Sequence, residues 1–225
     1  MQEKFRVKAN ERIALIAGAT GLIGRYLLRL LLADRRYKHV NALVRKAAFP
    51  DDNKLSECIV DFDRLPALPA ASDVYCCLGT TLRKAGSQAA FRKVDFDCVV
   101  NLAAAAKRGG CKRFLVVSAI GANAKSAVFY SRVKGEMENA LREIHFDALH
   151  VFQPSFLTGD RQESRAGESL GIAAFSAMAP LMLGPLRKYR PIAAQAVAQA
   201  MVNAAGQDSR GVAVYDSARI CTLAG

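Results

Sequence analysis

Apolar runs of strand length alternate along this chain with stretches of helical periodicity, and the alternation continues from Arg12 to Tyr215. Strands are predicted at Arg12–Ala17, Val40–Val44, Glu57–Val60, Asp73–Leu78, Arg113–Ser118, Ala148–Gln153 and Gly211–Tyr215. Helices are predicted at Leu22–Ala33, Ser87–Arg108 with a break near Asp95, Ala127–Ile144, Glu168–Met182 and Ala193–Ala205. Gly109-Gly110 supplies the stop after the second helical region. The Arg113–Ser118 run is apolar at nearly every position, as a strand covered on both faces must be. Strands separated by helices predict an α/β chain: a doubly wound, mostly parallel sheet with helices on both faces. No repeat or low-complexity linker divides residues 1–225, so one domain is expected. The polar Pro154–Gly167 loop and the segment that follows, roughly 154–190, read as a small C-terminal substrate-covering region.

In such a sheet the ligand lies outside the carboxyl ends of the strands. The run from Gly18 through Ala19, Thr20, Gly21, Leu22 and Ile23 to Gly24 joins the first strand to the first helix. Glycines there let the backbone approach a phosphate, and the helix N-terminus offers free N–H groups and partial positive charge. The same spacing could merely pack a helix on a strand. Its place on strand–turn–helix favours a dinucleotide. Arg45 ends the second strand, 21 residues after Gly24. An acidic residue there would bond both ribose hydroxyls, whereas an arginine can grip a 2′-phosphate at two points. NADP(H) is therefore the expected cofactor, with NAD(H) ranked behind it. Asp61 and Phe62 follow the third strand, where a carboxylate can accept from the adenine amino group and a ring can flank the base. Gly79, Thr80 and Thr81 form the turn after the fourth strand, where the backbone can approach the nicotinamide-side ribose, and Leu78 at the strand's end is a cofactor-binding candidate with them.

Tyr130 and Lys134 are four residues apart on a predicted helix and share a face. A free tyrosine titrates near pH 10, and an adjacent ammonium is expected to lower that value. Ser118, at the end of the fifth strand, can bond a substrate oxygen. Together the three are the candidate catalytic set, protonating a carbonyl as hydride arrives or running in reverse on an alcohol.

Composition narrows the alternatives. The chain has 225 residues, 52% of them hydrophobic, which excludes a disordered chain. Six cysteines form no Cys-x-x-Cys pair and the three histidines are scattered, so no metal site and no disulfide framework are expected. That usage, with a charged N-terminus lacking an apolar core, implies a cytoplasmic protein. The net charge is +12, and 11 basic against three acidic residues before Pro50 concentrate it there. It suits an anionic cofactor or a basic soluble surface. No nucleic-acid-binding signature accompanies it, which argues against nucleic acid as a partner. The uncharged Ser169–Leu186 stretch holds two prolines and many small residues, so it reads as a covering or docking helix with a break and not as a membrane span.

The runs GATGLIG, CCLGTTLRKAG, VDFD, FLVVSAIGA, YSRVKGEME and LTGDRQESRAGE together resemble the short-chain dehydrogenase/reductase superfamily, and more closely its atypical, Tat-interacting-protein-like members. The likeness spans roughly residues 10 to 215. It implies a Rossmann-type fold, NADP binding, a Ser118–Tyr130–Lys134 set, and Gln153, Pro154 and Ser155 beside the nicotinamide. The chain departs from the pattern after the fourth strand, where Cys77-Leu78-Gly79 replaces Asn-Ala-Gly, and the asparagine that often completes a proton relay has no clear counterpart. Two functions follow. One is NADPH-linked reduction of a small carbonyl compound, or the reverse oxidation. The other is an NADPH-binding redox sensor with little catalysis, and a sugar-nucleotide epimerase or dehydratase ranks behind both. The expected partner is a small-molecule substrate, and the expected state a monomer or homodimer.

Overall fold

The computed structural model describes residues 12–159 and 189–225. The charged N-terminus, the predicted Glu168–Met182 helix and most of the 154–190 region lie outside the described residues. Seven strands make one sheet: β1 (Arg12–Ala17), β2 (Tyr37–Val44), β3 (Leu55–Ile59), β4 (Asp73–Cys76), β5 (Arg113–Val117), β6 (Ala148–Gln153) and, at the far edge, β9 (Gly211–Asp216). The spatial order is β3-β2-β1-β4-β5-β6-β9 and every neighbouring pair is parallel. Two short strands, β7 (Leu157–Thr158) and β8 (Ile192–Ala193), pair separately and were not legible as strands.

The order reverses between β1 and β4, so the crevice above their carboxyl ends is the topological switch point. Helices cover both faces. Alternate β1 side chains face opposite ways, Ala14 and Ile16 into one core and Leu15 and Ala17 into the other. The first core is closed by α1 (Leu22–Ala33) and α6 (Ala194–Gly206), through Leu27, Leu31, Val197 and Met201. The second is closed by α4 (Cys98–Arg108) and α5 (Phe129–Arg142), through Val99, Leu102, Met137 and Leu141. The doubly wound, Rossmann-type expectation therefore holds, and the sheet is parallel throughout.

Between β4 and β5 the helical region is divided. α2 (Leu82–Ala85) and α3 (Gln88–Arg92) lead into a π-turn over Lys93–Asp97, which passes directly into α4. The predicted break near Asp95 is thus a widened turn inside a continuous helical path. A final helix, α7 (Ser217–Ala224), packs behind β9 and went unpredicted. At the amino end of the sheet, away from the crevice, Asp73 is fully buried. It accepts from Tyr37 Oη at 2.8 Å and from Arg113 at 2.7 Å, and Arg12 stands 3.5 Å away. No described helix is long and apolar enough to cross a membrane. The Ser169–Leu186 stretch lies outside the described residues.

Candidate nucleotide cleft and catalytic face

β1 ends at Ala17, and the chain turns at Gly18 with φ +82°, a left-handed conformation that favours glycine. A Cβ on Gly18 would stand 2.5 Å from the Cys77 carbonyl oxygen, so the turns after β1 and β4 touch backbone to backbone. A Cβ on Gly24, in the first turn of α1, would stand 2.0 Å from the Gly18 carbonyl oxygen. These two positions hold α1 close over the end of β1. Gly21 is the N-cap, no side chain caps the helix, and its first turn carries no acidic residue. The opening amides of α1 remain available to an anion. The backbone here is a cradle that a side chain would fill, and it fits a pyrophosphate.

A cleft of about 970 Å³ opens at this point. It is lined by Gly18, Ala19, Thr20 and Gly21, by Arg45 and Lys46 after β2, by Asp61 and Phe62 after β3, and by Leu78, Gly79 and Thr80 after β4. These stretches, with Lys84 of α2 and the π-turn, thus meet on one edge, as the topology requires. Arg45 and Lys46 are exposed at its wall, where a 2′-phosphate would meet water-facing cations. Asp61 already serves its own turn, accepting from the Asp63 amide at 2.9 Å. Phe62 packs against the second core and presents its remaining surface to the cleft. Leu22, Ile23 and Gly24 support the cleft from within α1 and do not line it. Thr81 caps α2, accepting from the Lys84 amide at 3.2 Å.

Ser118, Tyr130, Lys134, Gln153, Pro154 and Ser155 lie beyond the lining of this cleft among the described residues. Lys134 is joined to it through a residue the sequence reading did not assign. Its ammonium stands 2.7 Å from an oxygen of Asp95, and both side chains are almost wholly buried. The other Asp95 oxygen accepts from the Thr80 amide at 2.8 Å. Asp95 thus ties α5 to the turn after β4. Burial opposes the Lys134 charge, but the Asp95 carboxylate and Tyr130 outweigh it and hold the ammonium above its ordinary value. Tyr130 is raised as well: burial pushes it up, Lys134 pulls it down, and Asp95 pushes it up again. The expected lowering by an adjacent ammonium is present but does not win.

Ser118 is buried and donates to Glu138 Oε1 at 2.5 Å. Gln153 Nε2 donates to the same carboxylate at 2.9 and 3.1 Å. Glu138 was also missed, although Tyr130, Lys134 and Glu138 recur every four residues on one face of α5 and that spacing was available as a signal. For Asp95 the only signal was the interrupted periodicity around it. The Pro154 carbonyl accepts from the Ile120 amide at 3.0 Å. The Ser155 amide donates to Ser217 Oγ at 2.8 Å, and its hydroxyl donates to the Arg190 carbonyl. Both Lys134 and Ser118 thus have carboxylate partners.

A family model described as NAD(P)H-binding matches residues 18–171. Protein HTATIP2 of Rattus norvegicus is 40% identical over 185 residues, covering 79% of this chain and 75% of that protein. The mitochondrial protein FMP52 of Eremothecium gossypii is 34% identical over 224 residues, covering 93% and 96%. Among solved structures, the Bordetella bronchiseptica enzyme WbmH in complex with NAD+ aligns with a TM-score of 0.66 at 16% identity, over 92% of this chain and 76% of that one. That degree of likeness shows the fold. The cytoplasmic expectation is corrected by the fungal relatives: FMP52 proteins are designated mitochondrial in Eremothecium gossypii and in further yeasts. The correction has a simple physical basis, because cysteine spacing of this kind is not unique to one compartment.

Proposed function

The chain belongs to the NAD(P)H-binding family, and from that premise we propose that it is an NADPH-linked oxidoreductase of the short-chain dehydrogenase/reductase type. Its reaction is the reduction of a small carbonyl compound, or the reverse oxidation of the alcohol. The observation that carries the reading is the joining of Lys134 to the cleft edge through Asp95 and Thr80, with Tyr130 one turn away on the same face of α5. The uncapped amides after Gly21 would hold the pyrophosphate, and Arg45 with Lys46 a 2′-phosphate. When bound, the nicotinamide supplies the hydride. Tyr130 holds the proton that goes to the substrate oxygen, leaving a phenolate that Lys134 stabilises. Ser118 orients the substrate oxygen. The whole of residues 1–225 acts as one unit in this reading. The fungal relatives favour a mitochondrial location.

A redox sensor is the second reading, and the carboxylate partners of Lys134 and Ser118 favour it, since both groups are tied into the fold by other side chains. One pair of measurements separates the two. NADPH binding is followed by fluorescence titration, and NADPH consumption is followed across a panel of aldehydes and ketones. The oxidoreductase reading expects turnover that Tyr130→Phe removes while NADPH affinity stays within about threefold. Normal turnover by Tyr130→Phe refutes the catalytic assignment. Tight NADPH binding with no turnover on any carbonyl supports the sensor.

A further inference from the structure

We propose that Asp95 is a positioning residue of the catalytic face: its carboxylate anchors the Lys134 ammonium to the turn after β4 and offsets that ammonium's pull on the Tyr130 hydroxyl. The proposal rests on the oxidoreductase reading and adds to it a sense, with Tyr130 held ready as a proton donor.

The geometry begins with the backbone. A π-turn over Lys93–Asp97 adds one residue's width to the helical path and sets Asp95 inward, 1% exposed, beneath the end of β4. Such turns cost regular hydrogen bonding and recur at functional sites. Gly79 leaves the room. A Cβ there would stand 3.3 Å from Asp95 and 3.8 Å from Lys134 Nζ. The carboxylate then has two partners on two elements, the Lys134 ammonium at 2.7 Å and the Thr80 amide at 2.8 Å. A buried carboxylate so placed cannot leave without stranding the ammonium.

The groups that act on Tyr130 and Lys134 come from three elements. α5 contributes Tyr130 and Lys134 themselves, and the π-turn contributes Asp95. β4 contributes Cys76, whose thiol burial pushes up to about 12, so it stays neutral and adds no charge at neutral pH. Glu138, the next residue along this face of α5, is engaged by Ser118 and Gln153. The Tyr130 ring also lies 5.4 Å from that of Phe91. One ammonium therefore faces one carboxylate, and burial decides what remains: the phenol keeps its proton. A phenol at neutral pH can protonate a carbonyl oxygen. It cannot take a proton from an alcohol until it has given up its own.

The test needs no substrate. Tyrosinate absorbance in the near ultraviolet is titrated for the wild type, Tyr130→Phe, Asp95→Asn and the double variant, and the differences isolate the Tyr130 step. Asparagine keeps an oxygen for the Thr80 amide and removes only the charge. The expected result is a Tyr130 step about one pH unit or more lower in Asp95→Asn. A step that stays or rises overturns the proposal. If Asp95→Asn does not fold, Lys134→Gln supplies the complementary reading: the step should rise, and an unmoved or lowered step overturns the proposal equally. NADPH titration of the wild type runs alongside. Loss of binding there would sink the oxidoreductase reading, whereas the tyrosinate shift reports on Asp95 alone.

Discussion

Replacing Gly24 with alanine adds a single methyl group where the structure has no space for it. That carbon would sit 2.0 Å from the Gly18 carbonyl oxygen and 2.8 Å from the Ala19 Cα. Both obstacles are backbone, so no side chain can rotate away. Restoring even a tight contact requires α1 to move by about 1.2 Å relative to the turn, in an interior packed nearly as densely as a crystal. Overpacking of this kind costs roughly 2 kcal/mol, which for a chain of this length lowers the melting temperature by about 6 °C. The same movement withdraws the opening amides of α1 from a bound pyrophosphate. Each charge-assisted bond contributes about 1.5–3 kcal/mol, so loss of one weakens NADPH by roughly ten- to hundredfold. The assay is a thermal melt paired with NADPH fluorescence titration. A Gly24→Ala protein that melts with the parent and binds NADPH as tightly would show that the turn neither packs α1 nor holds the cofactor, and the argument from the glycine spacing would fall with it.

The remaining predictions draw on other parts of the molecule. Arg45→Ala should weaken NADPH about tenfold or more relative to NADH, because only the former carries a 2′-phosphate; equal losses for the two would remove the phosphate-grip argument. Asp73→Ala should destabilise by about 3–5 kcal/mol in urea melts, since it takes the carboxylate partner from the Arg113 guanidinium in a buried site, while the Tyr37 hydroxyl keeps only Tyr75; a loss under about 1 kcal/mol would refute that account. His150 is buried between Tyr215 and Ser209, and burial followed by the Arg113 charge lowers it to about 4. Below pH 6.5 the unfolded chain takes up a proton that the folded one refuses. The His150 contribution is therefore whole above pH 6.5, declines as pH falls from there, and is gone below about 4, at a total of about 3 kcal/mol. His150→Gln should flatten the acid side of the stability profile, and an unchanged acid slope would argue against it.

Much of the architecture was legible because its signals are local. The strands from Arg12 to Ala17 and from Ala148 to Gln153 coincide with their mostly apolar runs, since each is buried on both faces and takes a polar side chain only with partners, as His150 has in Tyr215 and Ser209. β2 begins at Tyr37, three residues earlier than its apolar run, because Lys38 and His39 can lie at the sheet's end with their polar atoms toward solvent or a neighbour. α7 was not recognised. Its start is set by Asp216, whose carboxylate accepts from the Arg219 amide, and a single capping aspartate after a strand is too common to read alone.

The site divides in the same way. The sequence by itself determined the glycine turn, the cation at the end of β2 and the Tyr130–Lys134 spacing, because each depends on residues a few positions apart on one element. What only the tertiary structure decided is the company those residues keep. Asp95 reaches Lys134 across 39 positions, and Glu138 reaches Ser118 across 20. Both contacts exist because the parallel sheet and its crossover helices bring distant segments to one edge. No periodicity records such a meeting, and it is this meeting, through burial and charge, that sets where the protons rest.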